Sequence, residues 1–261
     1  MDFNVKIVTD EIIEFIRDYY QKNNLGGAVI GLSGGKDSAV CLSLIVKAIG
    51  SENVLGLWLP ANSKESDKQD AITLANLYHV ELKEFDLTKY ANDYITDLKE
   101  LNNVRDDNLI DASINLKPRL RMLSLYSYAA MMTSIKKKGY LVIGTSNKSE
   151  RFVGYFTKGG DGVCDIAPIA DLYVDEVIKI GEYLGIPDKI IHKIPDDGLS
   201  GISDEEKLGF TYDDVKKVSE ELENDIKCNL DEELKNRIIR KHQANLHKFN
   251  TPYYQRKRSW K

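Results

Sequence analysis

One stretch constrains the fold more than any other. Ala28-Val29-Ile30-Gly31-Leu32 is a short, uninterrupted apolar run, the pattern of a strand buried on both faces of a parallel sheet. It passes directly into Ser33-Gly34-Gly35-Lys36-Asp37-Ser38, and an apolar helix follows from about Ser38 to Ile49, closed by Gly50. Two adjacent glycines let the backbone turn tightly and aim several N–H groups at one point. With a helix start behind them they form an anion nest, to which Ser33 and Ser38 add hydroxyls. The turn is not a Walker A loop, because Gly-Lys is followed by Asp37 rather than Ser or Thr, and it does not match G-x-G-x-x-G.

The surroundings repeat this alternation. Ile12, Ile13, Ile16, Tyr19 and Tyr20 recur at helical spacing, with Thr9 as the expected cap. Asn53 to Leu59 reads as a second strand, Ser66-x-x-Gln69 as a capping box opening a helix to about Tyr78, and Val80 to Asp86 as a third strand. A helix is expected from about Pro118 to Lys138, then a buried strand at Tyr140 to Thr145, a glycine-dense loop from Gly154 to Gly162 and an amphipathic helix from Val174 to Leu184. The expected fold is therefore α/β: a doubly wound, mostly parallel sheet with helices on both faces. With no internal repeat and no low-complexity linker, residues 1–261 read as a single domain with a helical, basic C-terminal extension at about 212–261.

Composition narrows the partners. With 261 residues, 42% hydrophobic and 30% charged, the chain can bury a core without disulfides or a structural metal. Its net charge of −5 disfavours a dedicated nucleic-acid binder. Cys41, Cys164 and Cys228 are odd in number and far apart, which argues against a disulfide framework or zinc knuckle. No stretch approaches the length of a membrane span. The expectation is a cytoplasmic protein with neither a nucleic-acid nor a membrane partner. The end of the chain departs from the acidic whole: from Arg237 to Lys261 there are eight Lys or Arg and no Asp or Glu, which suits an anionic partner.

Asp37 beside an anion nest has a chemical consequence. A carboxylate next to a pyrophosphate is repelled unless a cation lies between them, and Mg²⁺ favours one or two carboxylates plus phosphate oxygens. The second half supplies further groups at strand ends: Thr145-Ser146-Asn147-Lys148-Ser149-Glu150, then Gly154-Tyr155-Phe156-Thr157-Lys158-Gly159-Gly160-Asp161-Gly162 and Asp165-Ile166-Ala167-Pro168. Upstream lies Lys117-Pro118-Arg119-Leu120-Arg121-Met122; downstream are Ser203-Asp204-Glu205-Glu206-Lys207-Leu208-Gly209 and His247-Lys248. Arg119 and Arg121, two apart, straddle a helix rather than share a face, so one of them should point inward.

The S-G-G-x-D-S turn resembles the pyrophosphate-binding loop of the ATP pyrophosphatases, whose sheet is of the adenine nucleotide alpha hydrolase-like kind. The full series of motifs, in the same order over most of the chain, resembles the ammonia-dependent NAD synthetases. That resemblance implies ATP-dependent amidation of nicotinic acid adenine dinucleotide (deamido-NAD) by ammonia to NAD⁺, through an acyl-adenylate, with release of AMP and pyrophosphate. It implies that Gly31, Leu32, Ser33, Gly34, Gly35, Lys36, Asp37, Ser38 and Thr145 hold ATP, and that Asp37 and Glu150 bind Mg²⁺. Arg119, Lys158, Asp165, His247 and Lys248 would contact deamido-NAD. The catalytic candidates are Asp37, Lys158, which would neutralise charge, and Asp165, which would steer or deprotonate ammonium. A homodimer is implied, and free ammonia is the expected nitrogen donor because no cysteine lies in a glutaminase motif.

Two positions depart from the family pattern. Val174 stands where a lysine is usual and Asp196 where Ser or Thr is usual, both on the ATP side; Lys179 or Lys193 could replace the missing cation. The rival readings are a relative of the same superfamily acting on RNA or another carboxylate, which the acidic net charge and absence of paired catalytic cysteines oppose, and a non-catalytic nucleotide-binding relative.

Overall fold

The structure is a computed structural model that describes residues 3–193, 203–224 and 226–256; Asp196 lies outside them. The chain opens with helix α1 (Val5–Lys22), strand β1 (Gly27–Gly31), α2 (Lys36–Ile49), β2 (Val54–Trp58), α3 (Glu65–Leu77), β3 (Glu81–Glu84) and α4 (Thr88–Asn102). It continues through α5 (Ile110–Lys136), β4 (Tyr140–Ile143), α6 (Lys148–Val153), α7 (Val174–Tyr183) and α8 (Asp188–Ile191). Beyond residue 202 follow α9 (Asp204–Leu208), α10 (Tyr212–Asn224) and α11 (Glu232–Asn245).

The four strands form one parallel sheet in the order β3-β2-β1-β4. Ile30 of β1 lies opposite Gly56 on one side and Ile143 on the other. Alternate residues face opposite layers, as a two-residue strand period requires. Ala28 and Ile30 join the core formed by α1, α2, α7 and α8 through Ile16, Leu42, Ile45, Ile180 and Ile190. Val29, Leu55, Leu57 and Val142 face the other layer, where α5 covers them with Leu125 and Ala129. Each of the Val, Leu and Ile side chains among them stabilises the fold by about 1.5–3 kcal/mol on full burial. The expected doubly wound α/β sheet is what the chain forms. A third, smaller cluster of Val153, Phe210, Val215, Val218 and Ile238 packs α10 and α11 against α6.

Some local expectations fail for identifiable reasons. Asn4, not Thr9, caps α1: its side chain accepts the Ile7 N–H at 3.1 Å. Thr9 lies inside the helix, its hydroxyl donating to the Val5 carbonyl at 2.6 Å. Phe3, Val5 and Val8 pack on the core, so burial extends the helix past the first capping residue in the sequence. Ser66 is also interior; α3 starts after Lys64, and Gln69 donates to Glu65 Oε1 at 2.9 Å instead of closing a capping box. Helix α5 begins at Ile110 and runs through Pro118. The missing proline N–H forfeits one bond to Ile114, yet the helix persists because Leu109 upstream and Leu120, Leu125 and Ala129 downstream are packed.

Candidate nucleotide site at the strand-order reversal

Strand order reverses between β1 and β4, so the connections after their C-terminal ends leave in opposite directions and open a crevice. A cleft of about 960 Å³ lies there. Its floor includes Gly31, Leu32, Ser33, Gly35, Lys36 and Asp37 after β1, with Gly144 and Thr145 after β4. The glycine turn and the strand-end residues predicted to meet are therefore brought together.

The turn is held by its own atoms. The Leu32 N–H donates to Leu57 O at 2.9 Å, extending the sheet into the turn. Ser33 N–H donates to Ser38 Oγ at 3.3 Å, Gly35 N–H to Ser33 Oγ at 3.3 Å, and the Ser38 hydroxyl to Gly35 O at 3.0 Å. The two hydroxyls thus brace the loop, a role beyond the donors expected of them. Gly34 is required twice over: its φ is +77°, and a Cβ there would meet the Asp67 carbonyl oxygen at 2.4 Å. The first turn of α2 follows with no side-chain cap, so its amide ends and dipole favour an anion in the cleft.

Asp37 and Glu150 are joined through Asn147, a fully buried residue that sequence reasoning left unassigned. Asn147 Nδ2 donates to Asp37 Oδ1 at 3.0 Å. Its Oδ1 accepts the Glu150 N–H at 3.0 Å, and its own N–H donates to Glu150 Oε2 at 3.2 Å, a reciprocal cap on α6. Only the position of Asn147 four residues past the end of β4 could have flagged it. Lys36, only 4% exposed, sets its ammonium 3.1 Å from Asp37 Oδ2. Burial disfavours that charge, but Asp37 and then Glu150 outweigh it and raise the Lys36 pKa. Burial, then the charge of Asp37, pushes the Glu150 carboxyl well above the usual carboxylate range. Two hard oxygen ligands in mutual charge conflict fit a divalent cation whose remaining ligands are phosphate oxygens and water. Among the described residues no group of three or more His, Cys, Asp or Glu could hold a metal, so this pair would be the protein's share of such a site.

The opposite wall is clasped from two distant segments. Lys248 Nζ donates to Gly154 O at 2.6 Å and Phe156 O at 2.8 Å. Lys158 Nζ donates to His247 O at 2.8 Å, and Arg119 reaches the Lys158 carbonyl through Nε and Nη2 at 3.4 Å each. His242 stacks on Phe152 with centroids 4.2 Å apart, and Phe156 meets Phe249 edge-on at 5.1 Å. Arg119, Lys158, His247 and Lys248 are therefore gathered together, but only Lys248 lines the large cleft; the other three stand outside its walls. Asp165 is held elsewhere, on the segment that pairs with the outer edge of β4: its Oδ2 accepts the Val142 N–H at 2.8 Å and its Oδ1 the Tyr126 hydroxyl at 3.2 Å.

Of the paired arginines, Arg121 is the one that points inward, donating through Nε to Leu59 O at 3.0 Å and through Nη2 to Ser63 Oγ at 3.3 Å. Lys193 lines the same side, between Asp67 at 2.7 Å and Asp70 at 2.8 Å. Lys179 does not; it pairs with Asp175 at 3.0 Å on the outer face of α7. Of the two lysines that could replace the one missing at Val174, the fold thus puts Lys193 at the cleft.

The family model for NAD synthase matches residues 8–252. The chain is 38% identical over 252 residues to the NH(3)-dependent NAD(+) synthetase of Methanococcoides burtonii, covering 93% of this chain and 92% of that protein. It is also 38% identical over 252 residues to the enzyme of the same name from Archaeoglobus fulgidus, covering 95% and 96%. Among solved structures, an NMN synthetase from Francisella tularensis superposes with a TM-score of 0.82 at 32% identity, over 97% of this chain and 99% of that one. An NH3-dependent NAD synthetase from Campylobacter jejuni superposes with a TM-score of 0.80 at 28% identity, over 98% and 100%.

Proposed function

The chain belongs to the NAD synthase family, and on that premise we propose that it converts deamido-NAD to NAD⁺ with ammonia, splitting ATP to AMP and pyrophosphate. The observation that carries this reading is the linkage of Asp37, on the glycine turn, through Asn147 to the cap of Glu150, more than a hundred residues later in the chain. That linkage sets Glu150 next to Asp37, which lines the cleft together with the glycine turn.

A carboxylate is a poor acyl donor because its leaving group would be oxide. In the first step an oxygen of the nicotinate carboxylate attacks the α-phosphorus, and the bond to the β-phosphate oxygen breaks, releasing pyrophosphate. Ammonia then adds to the acyl carbon of the adenylate and a proton is lost. The acyl–oxygen bond breaks, and AMP departs carrying the former carboxylate oxygen. The chain's task is to position the reactants and neutralise charge. The turn from Gly31 to Ser38 holds the pyrophosphate end, with Thr145 beside it. Asp37 and Glu150 would hold Mg²⁺, which when bound supplies charge neutralisation on the leaving group. Lys248 lines the cleft on the side proposed to receive the dinucleotide; Lys158, Arg119 and His247, bonded to one another outside that lining, would meet the dinucleotide where it extends past the cleft, and Lys158 would offset charge at the carboxylate. Asp165, bound to Val142 and Tyr126, orders the edge of β4 and steers ammonium only from that position.

Among the described residues no helix is long and apolar enough to cross a membrane; we place the reaction in the cytoplasm because it consumes ATP. Tyr90, Tyr94 and Leu101 of α4 are exposed and share one face of that helix, and we assign this face to the contact of a homodimer. The Francisella relative favours a second reading, in which the acid is the mononucleotide rather than the dinucleotide. The test is NAD⁺ formation from deamido-NAD, ATP, Mg²⁺ and ammonium, run beside the same assay with nicotinate mononucleotide. Product that needs all four components and is abolished by Asp37→Ala and Lys158→Ala supports the reading. Turnover of the mononucleotide alone transfers the assignment to it, and no amide from either acid refutes both.

A further inference from the structure

Arg121 differs from the other cations of the cleft. Lys36 has Asp37 as a counter-ion, and Lys193 has Asp67 and Asp70. Arg121 lines the same cleft, yet its two bonded partners, the Leu59 carbonyl and the Ser63 hydroxyl, are both neutral. Among the described residues no carboxylate lies within ion-pair distance of it; Asp161 and Asp67 act only from farther away. Burial lowers its pKa from the ordinary arginine value. A guanidinium has five N–H donors in a fixed fork. Two are used here, and both position the group instead of compensating its charge. A half-buried cation without a counter-ion is costly, and a guanidinium with unused donors on the wall of a cleft is the arrangement in which a ligand anion supplies the missing charge.

We infer that Arg121 is a phosphate-contacting residue: held from behind by Leu59 and Ser63, it presents its remaining N–H groups to phosphoryl oxygens of the bound nucleotide. Leu59 and Ser63 follow β2, which pairs directly with β1, so Arg121 stands on the side of the cleft nearest the glycine turn. The inference rests on the nucleotide reading of the site but not on turnover, and it commits to a planar, bidentate contact that a lysine reproduces only in charge.

The test is calorimetry of the full chain with a non-hydrolysable ATP analogue plus Mg²⁺, and separately with deamido-NAD, for wild type, Arg121→Gln and Arg121→Lys. Gln keeps a donor for the Leu59 carbonyl and removes the charge. Expected is a loss of at least about tenfold in analogue affinity for Arg121→Gln, partial recovery in Arg121→Lys, and little change for deamido-NAD. A tenfold loss confined to deamido-NAD would give the same phosphate contact to the dinucleotide. Affinities within twofold of wild type for both ligands, in a variant with an unchanged Tm, would overturn the inference and leave Arg121 a strut between α5 and the β2 loop. Because a variant can fail to fold, the wild-type protein crystallised with the analogue gives the same decision: Arg121 Nη atoms within hydrogen-bond distance of phosphoryl oxygens support it, and a guanidinium with no ligand oxygen in reach sinks it. Analogue binding without NAD⁺ formation would separate failure of the activity from failure of this contact.

Discussion

Around the glycine turn the restraints are local and steric. Ser33, Gly35 and Ser38 hold one another within six residues, and the Asp67 carbonyl closes the space above Gly34. Across the cleft the restraints are long-range and charged: ammonium groups of Lys158 and Lys248 reach carbonyls on segments about ninety residues away. Local steric restraint gives a rigid anion nest that exists before ligand arrives. Restraint by two lysines clasping loops gives a wall whose shape depends on a few exposed or half-buried bonds. The difference suits the proposed division of labour, in which the phosphate end must be fixed for an in-line attack while the far wall admits and releases a bulky dinucleotide.

The largest expected effect lies at Gly34. Alanine there forces a left-handed residue and a clash with backbone, a strain of about 1–3 kcal/mol, and should lower kcat/KM by at least about a hundredfold. Circular dichroism should show the sheet retained while ATP-analogue binding is lost. A variant that still binds the analogue would mean the turn is not preformed.

Glu150→Gln separates function from stability at the same end. Gln can still accept the Asn147 N–H and close the cap, so the fold should survive while activity falls by about a hundredfold or more. Its Tm should equal or exceed that of wild type without divalent ions, because a buried negative charge near Asp37 is gone. The sign with pH follows. The folded-state pKa of Glu150 is raised above the ordinary 4.5, so its contribution to stability is full below 4.5 and is lost as pH rises through the raised value. Thermal melts across pH should decline less steeply toward neutrality in the Gln variant; identical profiles would contradict the placement of Glu150.

On the far wall, Lys248→Met removes two bonds and leaves the Gly154 and Phe156 carbonyls unpaired, costing about 1–3 kcal/mol. It should raise KM for deamido-NAD about tenfold with KM for ATP unchanged. Equal effects on both substrates would show that the two walls are not independent. The smallest pair of effects sharpens the ATP side alone. Lys193→Met should raise KM for ATP about threefold to tenfold, whereas Lys179→Met, at an exposed pair on α7, should leave stability within about 0.5 kcal/mol and activity unchanged.

The same contrast explains what could be read from sequence. The strand–turn–helix unit, the alternation that builds a parallel sheet and the meeting of Asp37 with Glu150 follow from short-range pattern and motif order. Thr9 and Ser66 are not caps: a capping residue is recognisable only once the helix start is known, and both helices begin upstream of them, at Val5 and Glu65. Helix α4 is hard to read from sequence because only Ala91 is fully buried along it, while Tyr90, Tyr94 and Leu101 are exposed. Pro118 hid the first two turns of α5. The inward turn of Arg121 and the anchoring of Lys158 by the His247 carbonyl depend on chain segments that meet only in the fold, so no spacing rule announces them.

The central claim is that this cleft activates a carboxylate on the α-phosphorus of ATP. Turnover of deamido-NAD labelled with ¹⁸O in its carboxylate, followed by mass spectrometry of the products, tests it most directly. One ¹⁸O transferred to AMP for each NAD⁺ formed is the predicted result; label in inorganic phosphate, or AMP free of label, would contradict it.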